Sequence, residues 1–320
     1  MPSGDPRPIR SEALQAKDKE DILKRRKTTY VKPQTKTADS ASSDPLQFEK
    51  EKKDVDAYFT AQSSGWNEIY QKEDVFSVIY QDRRSIALRY FRELSLPQDA
   101  RILDIGCGAG MTSVDMARCG YTVEAVDSVQ AMIDLTRQNA LKSGVEEQIH
   151  AGVMDVFNLQ FPDQTFDLVI ALGVVPWLAD STRALKEISR VLASGGYVLI
   201  SADNYWRLVH LLDPFESPLL TGLKERIKLI LGRARSRELS SMPRWKRHTV
   251  DEFDALLEAA CLVKLKHRVI GFGPFTFRRI PLFPGAFGVR LHRFLQNGAD
   301  RGIPILRSTG SLYLVLGQKK

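Results

Sequence analysis

Cysteine is scarce in these 320 residues, with Cys107, Cys119 and Cys261 the complete set. An odd number without paired close spacing argues against a disulfide framework and against the cysteine-rich arrangements that hold zinc or an iron–sulfur cluster. No metal is expected, and a reducing, cytoplasmic compartment is. No apolar run approaches the roughly 18 to 20 residues that a membrane-spanning helix needs, and the N-terminus lacks the apolar stretch of a signal peptide. Internal repeats are missing too. What remains is ordinary globular composition, 43% hydrophobic and 27% charged. The length suits one large α/β domain with additions or two modest domains.

Charge is present but unevenly placed. The formal net charge of +7 divides into +3 for residues 1–45, −8 for residues 46–203 and +12 for residues 204–320. The first segment is polar and almost without apolar periodicity, so it reads as a disordered basic tail. Its run from Lys24 to Lys27 would suit nucleic acid or anionic lipid, but solvation in a tail is the simpler expectation.

Between about 55 and 91 the pattern is helical, with Val75, Val78, Ile79, Ile86, Tyr90 and Phe91 on one face and Ser63 or Ser64 as a candidate cap. Strands are then expected at Arg101–Ile105, Thr122–Val126, Ile149–Val153, Phe166–Ala171 and Gly196–Ser201. Helical patterns separate them at Gly110–Arg118, Ser128–Leu141 and Ser181–Leu192, the last with Gly195 placed to close it. Such alternation means βαβ crossovers, hence a parallel sheet with helices on both faces. After Asn204 the rhythm changes. Tyr205–Arg247 reads as helical and basic, Thr249 and Glu252 have the spacing of a capping box, and Val263–Val269 and Ser311–Gly317 look like late strands. The aromatic-rich stretch between those two, broken by Pro and Gly, is expected to form loops over the sheet edge.

The most informative segment is RILDIGCGAG, Arg101 to Gly110. A strand ends after Asp104, and Gly106, Gly108 and Gly110 let the backbone turn sharply and approach a ligand before a helix begins. An anionic group is favoured at that helix start, so a nucleotide-type ligand is implied; a plain tight turn is the bland alternative. The nicotinamide dinucleotide fingerprint would place its third glycine at Met111, a side chain too bulky for close helix-to-strand contact.

The spacing with Asp104 instead resembles the first motif of class I S-adenosylmethionine-dependent methyltransferases, in particular the small-molecule type found in quinone biosynthesis. VEAVD ends in Asp127, 21 positions after Gly106, where the family carries the acid that holds the ribose hydroxyls. Asp155, between Met154 and Val156, matches the acid that meets the adenine amino group. Leu172 and Gly173 match the residues after the fourth strand that border the methionine arm, and Ile188–Ser201 matches the helix–Gly-Gly–strand signature. The resemblance covers residues 55–203 strongly. It implies a Rossmann-like, mostly parallel twisted sheet with an antiparallel last strand, and S-adenosyl-L-methionine as cofactor. That cofactor would be bound by Asp104, Gly106, Cys107, Gly108, Gly110, Asp127, Ser128, Met132, Met154, Asp155, Val156, Leu172 and Gly173. An N-terminal helical lid is expected over 46–95, the cofactor core over 96–203, and a basic cap with the last helix and strands over 204–320.

Methyl transfer needs an aligned nucleophile, exclusion of water and, for a hydroxyl acceptor, a proton acceptor. His210 is the leading candidate base, against a structural role for the same ring. Asp203, Tyr205 and Trp206 enter the expected mouth, and Trp66 and Tyr70 resemble lid residues of relatives; core packing is the alternative for the latter pair. A basic amphipathic helix over 219–237, with Phe272–Phe287 as an extension, would suit an anionic membrane surface and a lipid-linked acceptor. A solvated cap generates the same pattern. Nucleic acid is disfavoured, because no stacking aromatics or recognisable module accompany the basic residues. The expectation is an enzyme methylating oxygen on a small-molecule, sugar or lipid-linked acceptor, cytoplasmic or peripheral on the inner membrane face. Two alternatives remain, a nicotinamide-dependent oxidoreductase on the same fold, for which no Tyr-x-x-x-Lys pair is present, and a non-catalytic cofactor-binding protein.

Overall fold

The computed structural model describes residues 45–220, 243, 245–277 and 280–320, apart from the side chain of Ser64. The expected tail, except Pro45, and most of the 219–237 segment lie outside the described residues. Helix α1 (Pro45–Glu68) comes first and α2 (Val75–Glu93) follows it. Asp74 caps α2 by accepting the Ser77 N–H. Ser63 is no cap: it lies within α1, where its hydroxyl donates to the Thr60 carbonyl.

Next come β1 (Ile102–Ile105), α3 (Met111–Ala117), β2 (Val123–Asp127), α4 (Gln130–Ser143), β3 (Ile149–Val153), β4 (Phe166–Leu172), α5 (Ser181–Val191) and β5 (Leu192–Asp203). Helix α5 does not run on to Gly195. It ends at Val191, and Gly195 (φ 76°) lies where β5 bulges out of register against β4. The chain continues through α6 (Leu208–Leu212), α7 (Val250–Ala259), β6 (Leu262–Ile270), β7 (Thr276–Phe277), β8 (Ile280–Pro281), α8 (Gly285–Asp300), α9 (Leu306–Thr309) and β9 (Leu312–Lys319). Thr249 and Glu252 form the expected capping box at α7.

Two expectations are corrected here. The described part of Tyr205–Arg247 contains only the short α6 and a 3-10 turn at Pro218–Leu220. The aromatic-rich stretch contains a small hairpin, β7 with β8, and then the start of α8. Gly288 fits inside that helix because an added Cβ would fall 2.7 Å from Val75 Cγ2 and 2.2 Å from the Phe283 carbonyl oxygen.

The large sheet has the order β3-β2-β1-β4-β5-β9-β6, with only β9 antiparallel to its neighbours. Side chains alternate between two buried faces, as the period of a strand demands. Leu103, Ile105, Val169, Val198 and Ile200 pack with α5 and α7, whereas Ile102, Leu168, Ile170 and Leu199 pack on the opposite side with Phe91 of α2. Strand order reverses at β1, which pairs with β2 on one side and β4 on the other. The crevice beyond the C-terminal ends of these strands is where an open α/β sheet binds ligands. No helix among the described residues is long and apolar enough to cross a membrane.

Candidate functional site

A cavity with about 1280 Å³ of empty space, its open mouth included, occupies that crevice. Its floor is made by the chain as it leaves the strands. After β1, the Cys107 N–H donates to the Val126 carbonyl at 3.1 Å, folding the glycine loop over the end of β2. The Gly108 N–H then donates to Asp127 Oδ2 and the Val129 N–H to Oδ1, each at 3.0 Å. This fixes the plane of the Asp127 carboxylate and leaves further lone pairs on both oxygens. Gly108 has φ 56°, and no atom lies within 4 Å of where a Cβ would stand, so its backbone is open to a ligand.

The floor is acidic. Asp104, 3% exposed, accepts the Ser113 hydroxyl at 2.6 Å. Burial, with the neighbouring Asp127 charge adding to it, pushes its carboxyl up to about 7. Burial also raises Asp127. Asp155 Oδ1 accepts the Phe157 N–H at 2.9 Å, and its Oδ2 meets the Lys52 ammonium at 2.5 Å. The Cys107 thiol lines the floor, but burial raises it well above its ordinary range, which disfavours the thiolate.

The roof comes from the two N-terminal helices and the turn after β4. From α1, Asp56 accepts the Ser128 hydroxyl at 2.7 Å, and the Asn67 side chain accepts from Asn139 at 2.9 Å. Rings connect along the roof: Phe59 to Trp66 at 5.7 Å, Trp66 to Tyr80 at 5.7 Å and Phe59 to Trp177 at 5.1 Å between centroids. Burial raises the Tyr80 hydroxyl to about 12. Arg84 is paired with Asp115 at 2.5 Å. Arg83 is different. It is 5% exposed and lies over the Tyr80 ring at 4.5 Å, its buried Nε, like that of Arg84, has no hydrogen-bond partner, and no carboxylate among the described residues pairs with it. Its Nη1 lies 2.5 Å from where a Cβ on Gly173 would be, so a side chain at that position, already strained by φ 83°, would displace the guanidinium.

Of the residues expected to bind a cofactor, Asp104, Gly106, Cys107, Gly108, Asp127, Ser128, Met132, Met154, Asp155, Val156, Leu172 and Gly173 all line the cavity. Trp66 and Tyr70 line it as well. Gly110 does not: it is the left-handed N-cap of α3, held against Thr136 of α4, where a Cβ would come within 2.6 Å. Asp203, Tyr205 and Trp206 also stay outside the lining, since Asp203 turns to Arg207 at 2.7 Å and the two rings pack on each other at 5.0 Å. His210 is not brought to the cavity either. Its Nδ1 accepts from Arg247 Nη1 at 2.6 Å, and burial with the Arg207 and Arg247 cations pushes it down to about 3. Outside the cavity and with this nitrogen occupied by Arg247, the ring is not placed to serve as the general base there.

The residues not anticipated are mostly on the roof: Lys52, Asp56, Phe59, Tyr80, Arg83 and Trp177. One of them left a trace in the sequence, because Arg83 sits in the apolar stripe of Ile79 and Ile86, where a guanidinium needs a reason.

Residues 103–200 match the methyltransferase domain family. A ubiquinone biosynthesis O-methyltransferase of Dinoroseobacter shibae is 36% identical over 124 residues, 38% of this chain and 49% of that protein. One from Aeromonas salmonicida is 36% identical over 104 residues, 32% and 43% of the two chains. The chain thus spans about half the length of the curated relatives it matches. Among solved structures, a magnesium protoporphyrin IX methyltransferase from Synechocystis with bound SAH superposes with TM-score 0.55 at 16% identity, covering 84% of this chain and 100% of that one. At that identity the likeness is one of fold.

Proposed function

We propose that this chain, whose residues 103–200 match the methyltransferase domain family, transfers a methyl group from S-adenosyl-L-methionine to oxygen of a small acceptor. The single observation that carries it is the Asp127 carboxylate, fixed by two backbone N–H groups and facing the cavity beside an unobstructed Gly108.

The residues present suit that cofactor. Asp127 would take the ribose hydroxyls, and Asp155, flanked by Met154 and Val156, the adenine amino group. Arg83, a buried guanidinium in no ion pair among the described residues, would take the carboxylate of the methionine arm. When bound, the cofactor supplies a methyl group already activated as a sulfonium. The protein's own share is alignment and dryness: Phe59, Trp66, Tyr80 and Trp177 close the roof with apolar rings that exclude water. The acidic floor favours a cationic ligand over a neutral one.

Oxygen as the receiving atom is supported by relatives named as O-methyltransferases. A lipid-linked acceptor reached at an anionic membrane face is the finer form of the proposal. It is supported by Phe287 and Phe294, 61% and 74% exposed on α8 next to exposed Arg290 and Arg293. Flotation with anionic vesicles tests that form, and protein left at the bottom of the gradient would end it. The nicotinamide alternative finds no support among the relatives.

Calorimetry with S-adenosylmethionine and with NAD tests the cofactor. NAD binding without S-adenosylmethionine binding would overturn the proposal. Labelled methyl incorporation into a cell extract, with the product identified by mass spectrometry, tests turnover; cofactor binding with no acceptor in any extract would favour a non-catalytic binding protein.

A further inference from the structure

A second group of polar side chains lies outside the cavity, on the far side of Trp177. Residues 245–248 run beside the loops that leave β4 and β5. The Lys246 N–H donates to the Pro176 carbonyl at 2.7 Å, and the Tyr205 N–H donates to the His248 carbonyl at 2.9 Å. Trp245 is thereby stacked on Trp177, 6.3 Å apart and 12° from parallel, so this group and the cavity share an aromatic wall.

Two guanidinium groups stand over Trp245, Arg207 at 4.6 Å and Arg247 at 6.0 Å from the ring centroid. Arg207 has a carboxylate, Asp203, at 2.7 Å. Arg247 has none. Its one hydrogen bond among the described residues goes to the neutral ring of His210 at 2.6 Å, and it lies 5.7 Å from the Tyr205 ring. Burial and the Arg207 cation both lower Arg247, as expected for a cation lacking a counter-ion. The acidic groups whose charge reaches Arg247 or His210 are Asp203, Asp213 and Glu216. Asp203 is committed to Arg207, Asp213 accepts the Thr276 hydroxyl at 2.8 Å, and both Asp213 and Glu216 have further partners of their own.

We propose that Arg247, with Arg207 and His210 beside it, binds a phosphoryl group carried by the methyl acceptor. The word acceptor rests on the methyltransferase reading; the binding of the anion does not. Arg247 still has unused N–H donors in a planar fork, the geometry that takes two phosphate oxygens at once. Of the two guanidinium groups only Arg207 is in an ion pair with a carboxylate among the described residues, so the open fork of Arg247 is the one left to take an anion. His210 then has a purpose. A dianion beside it favours the imidazolium, and a proton on Nδ1 turns that nitrogen from acceptor to donor and frees Arg247 Nη1 for the ligand. The acceptor so held would lay its body across Trp245 and Trp177 toward the cavity.

The test titrates the full chain with inorganic phosphate, following tryptophan fluorescence and the His210 imidazole by NMR. In parallel, phosphatidylcholine vesicles with and without phosphatidic acid are offered, to separate a soluble phosphoryl compound from a lipid headgroup. Wild type is expected to saturate with phosphate while the His210 pKa rises. Arg247→Met should weaken binding by about ten-fold or more, and Arg247→Lys should recover it in part, keeping the charge without the fork. Binding confined to phosphatidic-acid vesicles and lost in Arg247→Met would support the same site with a lipid source. No saturable binding of either probe, or equal affinity in wild type and Arg247→Met, overturns the proposal. Calorimetry with S-adenosylmethionine on the same samples keeps the two claims apart. Cofactor affinity should be equal in wild type and Arg247→Met, and its absence in wild type would break the methyltransferase reading while the phosphate result stands by itself.

Discussion

Asp127 and Arg83 face one cavity from opposite sides and are held in opposite ways. Asp127 is positioned by its own neighbours: the N–H of Val129, two residues on, and that of Gly108 in the loop folded across it. Arg83 is positioned by packing, on Tyr80 one turn earlier and against Gly173 from the far end of β4. The floor meets its polar needs before a ligand arrives, whereas the roof keeps a buried cation waiting. A floor of this kind is rigid and general, while a roof of this kind couples its own stability to what it covers.

The largest expected effect is on the floor. Asp127→Ala should weaken cofactor binding by an order of magnitude or more, from the loss of charge-assisted hydrogen bonds worth about 1.5 to 3 kcal/mol each; calorimetry giving an unchanged affinity would move the ribose site elsewhere. On the roof, Arg83→Met should weaken cofactor binding by about ten-fold. The same change should raise the melting temperature of the ligand-free protein, since it removes a buried charge that lacks a partner. A variant that lost both affinity and stability would show that Arg83 is structural, and the contrast with Asp127 would dissolve.

Asp104 links the comparison to pH. Its carboxyl is raised from 3.8 to about 7 in the folded protein, so the folded state holds that proton more tightly than the unfolded chain does. This group therefore contributes a destabilisation absent below about pH 4, growing as pH rises toward 7 and constant beyond. Asp104→Asn should gain stability relative to wild type between pH 5 and pH 8 in thermal melts run across about that range. A constant difference between the two curves would mean that Asp104 is ionised throughout. The smallest effect is expected where roof meets floor. Ser128→Ala removes the bond to Asp56 and should lower cofactor affinity by roughly two- to ten-fold; a larger loss would make α1 part of the binding site proper.

What could be read from the sequence follows the same division. Gly108, Asp127 and Asp155 were legible because each belongs to a turn leaving a strand, and the spacing of such turns is written in consecutive residues. Lys52 and Phe59 were not, because they meet the site only after α1 has folded across the sheet. Arg83 lay between, visible as an interruption of an apolar stripe but without a stated partner. His210 was misread for a related reason: its burial, and the Arg247 guanidinium that occupies its Nδ1 from 37 positions away, arise only in the folded chain. Helix α8 was missed because Pro284, Gly285 and Gly288 look like breakers, although Pro284 is its N-cap and Gly288 faces Val75 of α2, where a Cβ would not fit.

The antiparallel strand β9 carries a consequence in time. It pairs with β5 from Tyr197–Gln318 to Asp203–Leu312, and 108 residues separate Asp203 from Leu312 in the chain. At ordinary rates of synthesis, a nascent chain would wait roughly 5 to 20 s between making one partner and the other. Through that interval the backbone of β5, with Val198, Leu199 and Ile200 along it, is an open apolar edge that any other strand could claim. The cofactor half therefore reaches the ribosome exit first but cannot finish its sheet alone, and its yield in the cell should depend on whatever shields β5 until β9 is made.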